Sequence, residues 1–231
     1  MSNDLPFLPT VIIEKAFSTE EVEFIRSTVL TDPNTEKSDY IHKWEGPTYN
    51  KKLSTGHVFD FEKLSPVADL IKKKLPDDIV SNLIPSRSFL LTSYVPYEIH
   101  CDYGWVECDH DEAPYYLILL ILNGEGSKTI VLDQQGKYLH FVDYKNDHDP
   151  LPVNKQMSEE EFKRHFSHCW PQEREYISVK DEFNWSAGSI LAIDMRYFHL
   201  SDNFSVNGID QKQCITLFTK AKKENFKEGN T

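Results

Sequence analysis

The sequence predicts a mainly β protein of the α+β class, with N-terminal helices packed on a β-sandwich or jelly roll. From residue 88 onward the chain consists of short runs rich in β-branched and aromatic residues, separated by turns that contain glycine. Before residue 88, apolar residues recur at helical spacing. Helices that precede many short strands are typical of a sheet fold braced on one side.

The N-terminal part predicts one strand and two helices. Residues 11–17 have strand character, and a helix follows over 18–30, where Ser18 and Glu21 have capping-box spacing. A second helix is predicted over residues 67–75, before Pro76. Between the helices, residues 31–56 are polar and rich in turn formers, which predicts a long loop that closes over a site.

The rest of the chain predicts seven strands and one insertion. The insertion covers residues 143–172, contains a predicted helix over 158–167, and is a second candidate lid. We expect one domain over residues 1–231, with a helical part over about 1–86 and a jelly-roll core over about 87–220. The predicted strands have the sequences SFLLTSYV, YYLILLIL, KTIVLD, KYLHFV, REYISVK, GSILAID and QCITLFTK.

The charge balance disfavours some classes of partner. The chain has 25 basic and 37 acidic side chains and a formal net charge of −12, which disfavours nucleic acid and anionic membranes as partners. We therefore expect a neutral or cationic substrate. No apolar run is long enough to span a bilayer, the four cysteines show no disulfide framework, and no signal peptide is evident. These features predict a cytoplasmic protein.

The acidic residues are densest over residues 98–112, which hold six acids and no Lys or Arg. In an extended chain, residues i and i+2 project to the same side, so His100 and Asp102 can meet at one point while Cys101 faces away. His199, just beyond the strand predicted over 188–194, is the best candidate for a third ligand. Two histidines and one carboxylate are the ligand set of non-haem Fe(II) oxygenases.

Five blocks of the chain, in order, resemble the Fe(II)- and 2-oxoglutarate-dependent oxygenases, in particular the prolyl-4-hydroxylase-like branch. The blocks are VIIEKAFSTEEVEFI, SYVPYEIHCDYGW, YYLILLILNGEGSKTIVLD, WSAGSILAIDMRYFHLSDNF and KQCITLFT. The resemblance implies a double-stranded β-helix, the cupin-like jelly roll. It also implies a dioxygenase that consumes 2-oxoglutarate and O₂, releases succinate and CO₂, and hydroxylates an aliphatic C–H bond of an amino acid, a peptide or protein side chain, or a related small molecule.

The resemblance also implies roles for single residues. The iron ligands are His100, Asp102 and His199. Lys212 falls where the family places an Arg or Lys that pairs with the distal carboxylate of 2-oxoglutarate. Tyr94 matches a tyrosine that reaches the same carboxylate, and Thr216 shares the strand face of Lys212 and assists. Ascorbate is expected to stimulate turnover. Since halogenating relatives replace the aspartate by Gly or Ala, Asp102 favours hydroxylation, or a desaturation or cyclisation variant.

Other interpretations stay open from the residues alone. One is a cupin-like metalloenzyme with the same three ligands and no use of 2-oxoglutarate, and another is a non-catalytic β-sandwich binding module. A zinc site at Cys101, Cys108 and His110 is disfavoured by its spacing. Asp194 and Arg196 either contact substrate or form an ion pair at a strand end. Further candidates for the substrate mouth are His42, Trp44, His57, Tyr103 and Trp105. The acids at 107–112 are expected to form a solvated loop, or to attract a cationic substrate.

Overall fold

The computed structural model describes residues 5–41, 51–102, 106–135, 157–175 and 177–226. Within these residues, two antiparallel sheets face each other. The strands are β1 Val11–Ile13, β2 Glu36–Ile41, β3 Lys52–Phe59, β4 Leu83–Ser93, β5 Glu112–Asn123, β6 Lys128–Gln135, β7 Val179–Asn184, β8 Ile190–Asp194, β9 Tyr197–Ser201 and β10 Lys212–Lys222. The helices are α1 Thr19–Thr31, α2 Ser65–Lys72, α3 Asp77–Val80 and α4 Glu159–Phe166.

The large sheet has the strand order β1-β8-β5-β10-β4-β3-β2, and the small sheet has the order β7-β6-β9. Strand β5 shows how the large sheet buries both faces. Leu120 packs into a core shared with the helices, whereas its neighbour Ile121 packs into the core between the two sheets. Because adjacent residues of a strand point to opposite faces, a continuous apolar run such as 115–122 marks a strand buried on both sides. The prediction of a mainly β sandwich with N-terminal helices is confirmed.

Helix α1 begins where the capping-box spacing predicts. The Ser18 hydroxyl accepts a hydrogen bond from the backbone N–H of Glu21 at 3.2 Å, and the Glu21 carboxylate accepts one from the Ser18 N–H at 2.8 Å. Helix α4 begins in the same way, since Ser158 accepts from the N–H of Glu161 at 3.1 Å. Both predicted helices are confirmed. The helix predicted over 67–75 begins two residues earlier and ends three residues earlier, as α2.

The loop predicted over residues 31–56 is wrong for residues 36–41 and 52–56, which form strands. Strands β2 and β3 pair with each other, and β3 pairs with β4, so they form one edge of the large sheet. The sequence obscured these strands because β3 buries polar residues, Ser54 and Thr55, where an apolar residue would have marked the strand. Residues 42–50 lie outside the described residues.

Two further boundaries differ from the expectation. The strand predicted over 174–180 begins at Val179 and continues to Asn184 as β7. A strand that was not predicted, β9, contains His199 and lies next to β6 in the small sheet. The strand predicted over 137–142 and residues 143–156 of the insertion lie outside the described residues. Among the helices that the structure describes, none has the length and hydropathy that a membrane span requires.

Candidate metal centre

The metal centre predicted from the sequence comes together between the two sheets. The segment after β4 carries His100 alongside β9, where the His100 N–H donates to the His199 carbonyl at 3.0 Å and the His199 N–H donates to the His100 carbonyl at 2.8 Å. This pair of backbone bonds sets the two residues directly opposite each other, so their side chains share one face. Their ring centroids lie 4.4 Å apart.

The three candidate ligands form a compact group. His100, Asp102 and His199 each offer one ligand atom, and these atoms lie within 4.8 Å of one another. Asp102 and His199 are buried, and His100 is half-buried. Within the described residues this is the one cluster of three or more metal-ligating side chains. The spacing suits a single metal ion held by two imidazoles and one carboxylate.

Backbone carbonyls orient both imidazoles. His100 Nδ1 lies 2.7 Å from the Glu98 carbonyl oxygen, and His199 Nδ1 lies 3.2 Å from the Tyr197 carbonyl oxygen. Because a carbonyl oxygen only accepts hydrogen bonds, each Nδ1 must carry the proton. The lone pair of each ring is then on Nε2, which is the arrangement of metal-binding histidines.

Asp102 is held in the form that a metal ligand needs. Burial of its carboxyl disfavours the charge. In the metal-free site, however, a protonated His199 donates a hydrogen bond from Nε2 to the carboxylate, and this bond and the charges of protonated His199 and His100 outweigh the burial and lower the pKa of Asp102. A bound metal takes the place of the Nε2 protons. Asp102 Oδ2 lies 3.4 Å from His199 Nε2. The aspartate is therefore an ionised ligand before any metal binds.

A third core packs behind the ligands. Ile99 and Cys101, which alternate with His100 and Asp102, pack with the α4 residues Phe162 and Phe166 on the outer face of the small sheet. Cys101 faces away from the ligands, as strand parity predicts. For residues 157–172 the expectation of a lid is thus wrong, because this part of the insertion supports the ligand-bearing strands from behind.

Lys212 begins β10 and faces the same interior. It lies in register with Ser93 of β4, which lies in register with Ser54 of β3, so the three residues form a row across the sheet. Lys212 is 3% exposed, and burial lowers its pKa to about 8. Further along β10, the Thr216 hydroxyl oxygen lies 3.6 Å from Cys214 Sγ, and both side chains are buried.

Tyr97, which the sequence did not single out, connects this lysine row to the metal centre. Its ring centroid lies 5.6 Å from that of His100, and its hydroxyl lies 2.6 Å from the Ser54 hydroxyl. Burial raises the pKa of Tyr97, with a smaller contribution from the nearby Asp102. The phenol therefore stays protonated and can donate a hydrogen bond at neutral pH.

Tyr94 points to the other face of the sheet. Its hydroxyl lies 3.3 Å from Thr55 Oγ1, and the Lys52 ammonium lies 5.0 Å from the centre of its ring. Since Thr55 and Ser54 are adjacent in β3, they project to opposite faces. The structure thus brings Tyr97, and not Tyr94, beside the predicted ligands. Both tyrosines lie in the same short segment, and no sequence signal distinguishes them.

The other candidates are distributed differently. Asp194 and Arg196 form an ion pair, and Arg196 donates to the carbonyls of Leu5 and Pro6, so the pair anchors the N-terminal segment. His57 lies on β3 in register with Leu90. Cys101, Cys108 and His110 do not form a ligand cluster within the described residues. His42, Trp44, Tyr103 and Trp105 lie outside the described residues.

Two solved structures of non-haem alpha-ketoglutarate-dependent enzymes have a similar fold. One is the non-haem alpha-ketoglutarate-dependent carbocyclase SnoK from nogalamycin biosynthesis. It superposes with a TM-score of 0.54 at 13% identity, and the match covers 91% of this chain and 79% of the SnoK chain. The other is the epimerase SnoN in complex with Fe³⁺, alpha-ketoglutarate and nogalamycin RO. It superposes with a TM-score of 0.52 at 11% identity, and the match covers 92% of this chain and 80% of the SnoN chain. The chain has the fold of the 2-oxoglutarate-dependent oxygenases. The predicted double-stranded β-helix is confirmed. No protein-family model matches the chain, and no curated protein sequence matches it.

Proposed function

We propose that this chain is an Fe(II)- and 2-oxoglutarate-dependent dioxygenase. The proposed reaction hydroxylates an aliphatic C–H bond of an amino acid, a peptide or protein side chain, or a related small molecule, and releases succinate and CO₂. The observation that carries the proposal is the presence of two sites in one interior, the His100–Asp102–His199 cluster and the buried Lys212. The Fe³⁺ and alpha-ketoglutarate held by SnoN in the same fold support it.

The three ligands fit Fe(II). His100 and His199 would bind it through Nε2 and Asp102 through a carboxylate oxygen, which leaves three of six coordination positions for cosubstrates. Two neutral ligands and one anion leave a positive charge on the site, so an anionic 2-oxo acid is attracted to it. When bound, the iron couples oxidative decarboxylation of 2-oxoglutarate by O₂ to oxidation of a substrate C–H bond.

Residues of the chain hold the rest of the cosubstrate. The Lys212 ammonium binds the distal carboxylate, and the Tyr97 and Ser54 hydroxyls lie along the path between that carboxylate and the ligands. Thr216 lines the same face of β10. The apolar side chains between the sheets, among them Leu119 and Ile121, exclude water from the site. The net charge of −12 favours a neutral or cationic substrate over an anionic one.

The decisive experiment measures succinate formed by the purified protein with Fe(II), 2-oxoglutarate and ascorbate, in a screen of amino acids and peptides. We expect Asp102→Ala to abolish succinate formation, because it removes the only anionic ligand. Asp111→Ala is the matched control, since Asp111 is an exposed acid of the same acidic run, and it should keep wild-type turnover. Near-native turnover by Asp102→Ala would contradict the ligand assignment.

Mass spectrometry of the product decides the type of oxidation. Hydroxylation adds one oxygen atom to the substrate, whereas epimerisation leaves its mass unchanged and cyclisation or desaturation lowers it by two hydrogens. Stoichiometric Fe(II) binding without decarboxylation of 2-oxoglutarate would favour the cupin-like metalloenzyme. Absence of metal binding would favour the non-catalytic module.

A further inference from the structure

The Lys212 ammonium lies between two aromatic rings. Its Nζ is 3.9 Å from the ring centroid of Trp185 and 5.4 Å from that of Phe204. Both rings are buried, at 5% and 0% exposure. A cation over the face of an indole is attracted to the ring's electron density, and the attraction grows when water is excluded. We name Trp185 and Phe204 the lysine cage.

The Trp185 ring is held in place from two sides. Its Nε1–H donates to Thr129 Oγ1 at 2.8 Å, inside the buried core. On the other side, Gly124 has a φ of +115°, and a Cβ at this position would lie 2.6 Å from Lys212 Cβ and 3.1 Å from Trp185 Cε3. Only glycine allows this approach at this φ. The turn after β5 thus leaves room for the indole and the lysine to pack together.

Within the described residues, no carboxylate forms an ion pair with Lys212. The nearest candidate, Asp202, instead accepts a hydrogen bond from the Lys128 N–H at 2.8 Å and one from the Asn207 amide at 3.5 Å. A buried ammonium with a fixed carboxylate partner would have to break that pair before it could bind another anion. The lysine cage compensates part of the burial cost without occupying the ammonium with an anion.

We propose that Trp185, supported by Phe204, is a positioning residue that holds the Lys212 ammonium ready for an incoming carboxylate in place of a protein counter-ion. This inference rests on the proposed function, in which that carboxylate is the distal one of 2-oxoglutarate. The ring acts on the ligand only through the lysine. Its effect is therefore confined to ligands that carry a second carboxylate.

The test measures ligand affinity by calorimetry on Mn(II)-loaded protein without O₂. The two ligands are 2-oxoglutarate and pyruvate, which has the same metal-chelating end and no distal carboxylate. We expect Trp185→Leu to weaken 2-oxoglutarate binding about tenfold, the order of a desolvated cation–π contact, and to leave the affinities for pyruvate and Mn(II) unchanged. Trp185→Phe, which keeps a ring, should lose less affinity than Trp185→Leu.

Phe183→Leu is the matched control, since Phe183 is a buried aromatic residue of the same core, and it should change neither affinity. If Trp185→Leu does not fold, Thr129→Val removes the acceptor of the indole N–H and should weaken 2-oxoglutarate binding selectively. Equal loss of both ligands, or an unchanged or tighter affinity for 2-oxoglutarate, overturns the role of Trp185 and leaves the proposed function standing. A wild-type protein that binds no 2-oxoglutarate overturns the proposed function, and this inference with it.

Discussion

The two ends of β10 place lysines in opposite environments. At the start of the strand, Lys212 is 3% exposed and lies against aromatic rings. At the other end, Lys220 pairs with Glu112 at 2.6 Å and Lys222 pairs with Asp111 at 2.8 Å. Burial lowers the pKa of Lys212 to about 8, whereas the hydrogen bonds to these carboxylates raise the pKa of Lys220 and of Lys222.

The difference distinguishes a lysine that is free to bind an anion, Lys212, from lysines that already pair with carboxylates of the protein, Lys220 and Lys222. Exposed ion pairs such as Lys222–Asp111 contribute little to stability, since solvent screens them, and their lysines have an anion bound already. A buried ammonium without an anion costs stability. The proposed function accounts for its retention in the core by a ligand that supplies the anion.

The same comparison divides the acidic run over residues 98–112. Asp102 lies in the candidate metal centre, whereas Asp111 and Glu112 are paired with the lysines at the end of β10. Lys223 also donates to the His110 carbonyl at 2.6 Å. Asp111 is exposed, as expected for a solvated loop, although it also pairs with Lys222. For Glu112 the expectation of a loop is wrong, because Glu112 begins β5 and pairs with Lys220. These two acids join the loop to β10.

The largest effect is expected for Lys212→Met, which removes the charge and keeps the apolar stem. We expect the Kd of 2-oxoglutarate to rise about a hundredfold, within the range for loss of one partner of a buried charge pair. The free energy of unfolding should stay the same or rise, since an unpaired buried charge is lost. Calorimetry and chemical denaturation measure the two quantities. Wild-type affinity for 2-oxoglutarate in this variant would contradict the role of Lys212 in binding the cosubstrate.

A smaller effect is expected from pH. Lys212 binds a carboxylate only as the ammonium, and because its pKa is lowered to about 8, the ammonium is lost as the pH rises through that value. The Kd of 2-oxoglutarate should rise about tenfold per pH unit above it. Two neighbouring groups do not titrate there, since burial raises the pKa of Cys214 above its ordinary value of 9.0 and lowers that of His168 to about 4. For Asp202, burial raises the pKa from an ordinary value of 3.8.

Lys212→Arg is the control for this profile. A guanidinium stays charged at every pH in the range, so the Kd of the variant should not change between neutral pH and pH 9. Pyruvate binding to the wild type should be equally flat, because pyruvate has no distal carboxylate. A pH dependence shared by the wild type and Lys212→Arg would place the titrating group elsewhere.

The smallest effect is expected at the exposed end of the strand. Lys222→Met should lower the free energy of unfolding slightly or not at all, and any loss should shrink at high salt, which screens exposed charges. Denaturation at low and high salt measures this change. The affinity for 2-oxoglutarate should equal that of the wild type, and a loss of affinity in this variant would show that the two ends of β10 are coupled.

The elements that the sequence predicted well are those with a local signal. The capping-box spacings that begin at Ser18 and Ser158 placed the starts of α1 and α4, although only Ser18 forms both bonds of the box. The apolar run over 115–122 marked β5. The His100-x-Asp102 spacing predicted two of the clustered ligands, because alternation along an extended chain is a local property. Strands β2 and β3 were missed, because their buried positions hold polar residues and their pairing depends on β4.

The sequence by itself determined the mainly β fold, the N-terminal helices and the His100-x-Asp102 pair, since each rests on periodicity, caps or a short motif. It indicated His199 as the third candidate ligand through the resemblance to an oxygenase family. The tertiary structure alone decided that Tyr97 rather than Tyr94 lies beside His100, and that Trp185 lies over Lys212. Trp185 and Lys212 are 27 residues apart in sequence. Contacts of this kind depend on strand register and on which sheets face each other, and the spacing of residues along the chain contains neither.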